Sequence, residues 1–312
     1  MASPVDLARL HRPFAPTRHI VADRELAVSS ISAGPSRFRC RDRLLDLEEK
    51  TWIVGVLNVT PDSFSDGGRF VDVGAAVDHA IRMVEEGADI LELGGESTRP
   101  GSVAVTADEE LRRVLPVLRR LRAALAIPLA VDTYKAEVAR AVLEEGAEIV
   151  NDVYSVRGEG RLAEVVAKMG AGLVIMHMKG TPRDMQIDPY YDDVVEEVVA
   201  FLRDRVACAE GIGVDPEAIA VDPGLGFGKR LVDNLALLRH LSELHRLGKP
   251  IMVGPSRKSF IGKVLDLPVE ERLHGTAACV AAAVLQGAAF VRVHEVRPAV
   301  QLARMLDAIR RA

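Results

Sequence analysis

Several polar residues far apart in the chain have the right types to hold a flat nitrogen heterocycle. Asp132, Asn151 and Asp222 supply two carboxylates and an amide, which suit adjacent N–H donors and one acceptor edge. Lys258 adds a donor for a ring carbonyl or ring nitrogen, Met176 and Phe227 offer an apolar wall, and Arg292 a planar guanidinium able to stack on the other face. A second set, Arg99, Arg292 and His294 with the Asn58 amide, suits an anion such as a diphosphate carrying a divalent metal. Each has an ordinary explanation when taken singly. A strand-end Asp caps the next helix, a Met fills core, and a His packs with its nitrogens satisfied.

What argues against coincidence is where they stand. Eight short apolar runs, near Trp52–Leu57, Ile90–Leu93, Leu129–Val131, Ile149–Val150, Leu173–Met176, Ile219–Val221, Ile251–Val253 and Phe290–Val293, have the composition of strands buried on both faces. Each leads into polar residues: Asn58; Glu92 and the Gly94–Gly101 stretch; Asp132; Asn151 and Asp152; His177; the Asp222–Lys229 stretch; Gly254–Lys258; Arg292 and His294. The first run opens into a polar loop through Gly68 with a lone aromatic, Phe64. Capping alone does not produce eight such ends.

Helical patterns lie between the runs, at Val105–Ala124, Asp193–Glu210, Leu231–Leu247, Val269–Gln286 and Ala299–Arg311. Four times a helix-like stretch ends in Gly-Ala before an apolar run, at Gly87, Gly146, Gly170 and Gly287, as a glycine at the helix C-terminus should. Alternating strands and helices predict parallel strands joined by right-handed crossovers, and eight units predict a (β/α)8 TIM barrel of α/β class. An open doubly wound sheet is the alternative, but no Gly-x-Gly-x-x-Gly follows the first strand. Phe38–Leu47 reads as a short hairpin closing one end. Residues 1–37 read as a loose N-terminal extension and 38–312 as one barrel domain.

Composition narrows the function classes. At 312 residues and 48% hydrophobic the chain buries a large core, and a net charge of −5 gives no sign of a nucleic-acid partner. No apolar run approaches the ~20 residues of a membrane span. Cys40, Cys208 and Cys279 show no paired spacing, so they read as buried apolar groups in a reducing cytoplasm.

On these motifs the chain closely resembles the dihydropteroate synthases, from about Arg41 to the C-terminus. The matching stretches are NVTPDSFSDGG from Asn58, GGESTRPG at 94–101, Val131-Asp132-Thr133, Asn151-Asp152, MHMKGTPRDMQ at 176–186, DPGLGFGK at 222–229, SRK at 256–258 and RVHEV at 292–296. The departures are Glu295, where the family often has Asp, and the N-terminal extension. The resemblance implies condensation of a dihydropterin-CH2-diphosphate with p-aminobenzoate, releasing diphosphate, by a cation-like substitution. It places the pterin on Asp132, Asn151, Asp222 and Lys258, between Met176, Phe227 and Arg292. Diphosphate and Mg²⁺ meet Asn58, Arg99, Arg292 and His294, with Asn58 toward the metal. The p-aminobenzoate end is framed by Phe64, Thr98, Pro100, Ser256 and Lys258. Lys258, Asp132, Arg292 and Asn58 are the expected catalytic residues, and a cytoplasmic homodimer, paired through the Ala-rich helix Thr276–Leu285, is the expected assembly. The competing readings are a pterin-binding methyltransferase domain, which normally lacks the SRK, RVH and Thr98-Arg99-Pro100 elements, and a non-catalytic paralogue serving as a binding module.

Overall fold

The computed structural model describes residues 34–60, 72–97, 102–157 and 160–312. An antiparallel hairpin, β1 (Arg37–Cys40) and β2 (Arg43–Asp46), precedes eight parallel strands. These are β3 (Trp52–Asn58), β4 (Ile90–Gly94), β5 (Leu129–Asp132), β6 (Ile149–Asp152), β7 (Gly172–Met176), β8 (Ile219–Asp222), β9 (Met252–Val253) and β10 (Phe290–Val293). Sequential strands are neighbours from β3 to β8, and β10 sits between β3 and β9. A single parallel bridge, Val221 to Ile251, with Val221 N–H donating to the Pro250 carbonyl at 2.9 Å, joins β8 to the β9 side and closes the circle. This is the TIM barrel expected.

Helices α1 (Val73–Glu85), α2 (Ala107–Ala124), α3 (Ala136–Glu144), α4 (Arg161–Met169), α5 (Val194–Ile212), α6 (Leu231–Arg239), α7 (Ser259–Leu265), α8 (Leu273–Leu285) and α9 (Val296–Arg311) connect or follow the strands. Gly87, Gly146, Gly170 and Gly287 all take positive φ just past their helices, as the Gly-Ala pattern requires. Two helices are shorter than expected. The Leu231–Leu247 pattern breaks at His240 (φ −119, ψ 30), leaving α6 and then 3-10 turns over Leu241–Leu247. Val269–Gln286 divides into a 3-10 turn at Val269–Glu271 and α8. In both cases apolar spacing runs on through a backbone that does not.

Strand alternation explains why the runs look uniformly apolar. One parity faces outward to the helices: Ile53 and Leu57, Leu91 and Leu93, Leu129 and Val131, Val150, Leu173 and Ile175, Ile219 and Val221, Val253, Val291 and Val293, all in one large core. The other parity faces inward. Each barrel strand gives one residue to an inner apolar layer, Val54, Ile90, Ala130, Ile149, Val174, Ala220, Met252 and Phe290. Phe38, Cys40 and Leu45 of the hairpin plug this layer, with Phe38 edge-on to Phe290 at 5.3 Å. A Cβ at Gly172 would lie 2.8 Å from the Phe38 ring, so glycine there makes room for the plug. Arg41 and Arg43 fasten it, Arg41 donating to the Leu143 carbonyl at 2.8 Å and Arg43 to Glu148 at 2.5 Å. Two residues further along, one pleat closer to the C-terminal mouth, the inward positions of β4, β5, β6, β8 and β10 turn polar.

Candidate active site

That second inward layer is Glu92, Asp132, Asn151, Met176, Asp222 and Arg292, each two residues past an apolar-layer residue of its own strand. C-terminal strand ends are where barrels of this kind hold their chemistry. The hairpin plug covers the apolar layer beneath it.

Glu92 is the hub. It is 1% exposed, and its Oε1 accepts from Arg292 Nε at 2.7 Å and from Arg292 Nη2. Oε2 accepts from Asn151 Nδ2 at 3.0 Å, and Arg292 Nη2 reaches Asp132 Oδ2 at 3.2 Å. Asn151 Oδ1 is buried with no protein partner. Burial first, and then the Glu92 charge, push the Asp132 carboxyl well above the ordinary range, against the pull of Arg292. Burial also works against the Arg292 charge, but Glu92 and Asp132 more than offset it and its pKa is raised. Asp132 is not a helix cap: α3 has no side-chain cap, and Thr133 takes the Lys135 N–H. Its neighbour Asp152 is structural, accepting the backbone N–H groups of Tyr154 at 2.8 Å and Val156 at 2.5 Å.

On the opposite arc, Asp222 Oδ1 accepts from the Gly224 N–H at 2.6 Å, and burial raises its carboxyl. Gly224 (φ +67) has no alternative, because a Cβ there would lie 1.9 Å from the His177 carbonyl oxygen. Lys229 braces this loop from behind. Its Nζ is buried, donates to the carbonyls of Gly224 (2.9 Å) and Phe227 (3.0 Å), and lies 2.9 Å from His177 Nδ1. Burial and then the Lys229 charge hold His177 down at about 2, so the imidazole is neutral. Its ring packs edge-on against Phe201, away from the mouth.

The loop so held carries Phe227, which clusters with Val153, Met176, Met178 and Met185 into an apolar wall beside the polar layer. Lys258 Nζ sits over the Phe227 ring, 4.0 Å from its centroid. Burial, then the Arg292 charge, push Lys258 down to about 7, although Asp222 and Asp132 pull the other way. Around the rim, Ser256 Oγ lies 3.0 Å from His294 Nδ1 and 3.4 Å from Glu295 Oε2, and Glu295 pairs with Arg257. Asn58 closes β3, half-buried at the same mouth. Phe64, Thr98, Arg99 and Pro100 lie outside the described residues, as does the extension through residue 33.

The site therefore combines three acceptors, two cations and a sulfur-rich wall in one pocket, which suits a flat heterocycle with N–H donors. Comparison with known proteins agrees. The family model described as pterin binding enzyme matches residues 54–294. Over 267 residues the chain is 46% identical to the dihydropteroate synthase of Synechocystis, covering 85% of this chain and 92% of that one. The chain belongs to the dihydropteroate synthase family of pterin-binding enzymes. A solved structure of the Xanthomonas albilineans dihydropteroate synthase with 4-aminobenzoic acid superposes with a TM-score of 0.83 at 46% identity, covering 89% of this chain and 99% of that one. The same bacterium's enzyme in complex with 7,8-dihydropteroate gives 0.79 at 42% identity, covering 88% and 99%.

Within this dihydropteroate synthase fold, the structure brings Asp132, Asn151, Met176, Asp222, Phe227, Lys258 and Arg292 to one pocket, with Asn58, Ser256 and His294 at the strand ends around it. Three residues that stood among the polar strand ends were given no role from the sequence. Glu92 shares the inward parity of Asp132 and Asn151 and, like Arg292, is a charged residue inside an apolar run, a signal that was legible. Lys229 and His177 meet only because the glycine loop folds back, which spacing does not reveal.

Proposed function

We propose that this chain condenses 6-hydroxymethyl-7,8-dihydropterin diphosphate with p-aminobenzoate, giving 7,8-dihydropteroate and diphosphate. The observation that carries the reading is the inward polar layer, where buried acceptors and half-buried cations sit on an apolar plug at the C-terminal mouth of a pterin-binding barrel. Asp132, the free Asn151 Oδ1 and Asp222 receive the ring's N–H donors, and Lys258 donates to its acceptor edge. Met176 and Phe227 cover one face and Arg292 the other.

In the reaction the bond between the pterin methylene carbon and diphosphate oxygen breaks, and a bond from that carbon to the arylamine nitrogen forms. The amine's proton leaves to solvent. An aniline nitrogen is a weak nucleophile, so the methylene must become cation-like first, and the acceptor-lined pocket favours that charge. We assign its stabilisation to Asp132, whose carboxyl would be drawn back toward the ionised form by ring N–H donors. Asn58, Arg99, Arg292 and His294 take the diphosphate. Phe64, Thr98, Pro100, Ser256 and Lys258 frame the p-aminobenzoate.

A hard ion such as Mg²⁺ needs few protein ligands when it rides on phosphates, and the Asn58 side-chain oxygen at the end of β3 has the right chemistry to hold it. Bound there, Mg²⁺ would neutralise charge on the departing diphosphate. We assign a homodimer paired through α8, whose LHGTAACVAAAVL sequence is apolar on nearly every face, and a cytoplasmic location. Among the described residues no helix is long and apolar enough to cross a membrane. The whole chemistry lies in one barrel domain behind an N-terminal extension.

The test is direct. Purified protein with both substrates and Mg²⁺ should form dihydropteroate and diphosphate in equal amounts. Diphosphate release without the pteroate, or neither product, overturns the assignment.

A further inference from the structure

Glu92 has no substrate-facing atom to spare. Both oxygens are taken by the protein, and the side chain is 1% exposed. From β4 it reaches past one strand on either side, to Arg292 on β10 and Asn151 on β6. Its geometry nevertheless fixes something the substrate must meet. A carboxylate only accepts hydrogen bonds, so the Asn151 amide has to turn its NH2 group toward Glu92. The oxygen of that amide then faces away, 3% exposed as a residue and without a protein partner. An asparagine can present either a donor or an acceptor, and here its neighbour makes the choice.

We infer that Glu92 is a positioning residue that sets the hydrogen-bond polarity of the pocket, holding Asn151 as an acceptor and thereby selecting rings that offer a donor edge. The inference rests on the pterin reading above. A structural role alone, neutralising the part-buried Arg292, makes a different prediction.

Glu92→Gln separates the two. Arg292 presents two N–H groups to one oxygen of residue 92. The introduced glutamine must serve them with its oxygen, which turns its NH2 toward Asn151. Two NH2 groups cannot face each other, so the Asn151 amide flips and shows a donor to the ligand. The double variant Glu92→Gln with Asn151→Asp reverses donor and acceptor of the same bond. It conserves net charge and restores an acceptor facing the ring.

The experiment is calorimetric titration of wild type, E92Q and the double variant with two probes, alongside thermal melts. One probe is 6-hydroxymethylpterin. The other is its 2-oxo analogue, in which an exocyclic donor becomes an acceptor. Wild type should prefer the pterin. E92Q should lose about tenfold or more of that preference, and the double variant should regain most of it. An E92Q protein weakened equally toward both probes, or a double variant no more discriminating than E92Q, overturns the inference and leaves Glu92 structural. If E92Q does not fold, recovery of folding and pterin preference in the double variant supports the inference. Failure of both variants to fold overturns it. A wild-type protein that binds neither probe overturns the functional reading and this inference with it. Wild-type binding with unchanged preference in E92Q overturns this inference alone.

Discussion

Asp222→Asn is the most informative single substitution in the pocket. One oxygen of Asp222 is committed to the turn, accepting from Gly224 N–H at 2.6 Å, which leaves the other for a ring N–H. Asparagine has the same volume and can keep the turn by pointing its oxygen at Gly224. It then puts an NH2 where the ring's donors arrive. A hydrogen bond to a charged acceptor contributes about 1.5–3 kcal/mol, and each 1.4 kcal/mol is tenfold, so pterin affinity should fall roughly ten- to a hundredfold. Diphosphate is assigned above to other residues, and on that assignment its affinity should move by no more than about twofold. Asp222→Ala removes the turn acceptor as well and should cost about 1–3 kcal/mol of stability, seen as a lower Tm. Separate titrations with a pterin and with diphosphate, beside melts of both variants, supply the readout. Equal losses for the two ligands in D222N, or a pterin affinity left intact, refute the acceptor role.

Lys258 carries a pH signature. Its ammonium is present below about 7 and lost above it, so kcat/KM, which reports the free enzyme, should decline on the alkaline side with an apparent pKa near 7. Lys258→Arg should remove that decline at a lower maximum, and an unchanged alkaline limb in the variant would assign it to another group. If the Asp132 charge serves the cation-like carbon as proposed, Asp132→Asn should reduce kcat more than it weakens pterin binding; an effect confined to KM rejects this. Gly224→Ala should leave little folded protein, since a methyl group would collide with the His177 carbonyl at a left-handed position, and a Tm within a degree of wild type would contradict the loop geometry.

Much of this architecture was written in strand composition. The outward residues Leu91, Val131, Ile175 and Val221 and the inward Ile90, Ala130, Val174 and Ala220 are all apolar, so each strand reads as an unbroken run, the mark of a sheet covered on both faces. Where that run turns polar on the inward parity, the pocket begins, which is why Asp132, Asn151, Asp222 and Arg292 could be picked out. The helix breaks at His240 and before Leu273 were not legible, because apolar spacing persists across them. Helix α7 has only seven residues, too few to show a period. Glu92 was visible as a strand-end acid, but its hold on Asn151 and Arg292 spans the barrel, and Lys229 reaches His177 only through a loop fold. Side-chain partners this far apart in sequence are set by closure of the barrel.

The measurement that bears most directly on the account is a crystal structure of the protein with 6-hydroxymethylpterin and diphosphate. The account predicts the ring lying between Met176 and Arg292, with its N–H groups at hydrogen-bonding distance from Asp132, Asn151 Oδ1 and Asp222, and Lys258 on its acceptor edge. A ring bound elsewhere in the barrel mouth, or one meeting the Asn151 NH2 group in place of its oxygen, would contradict it.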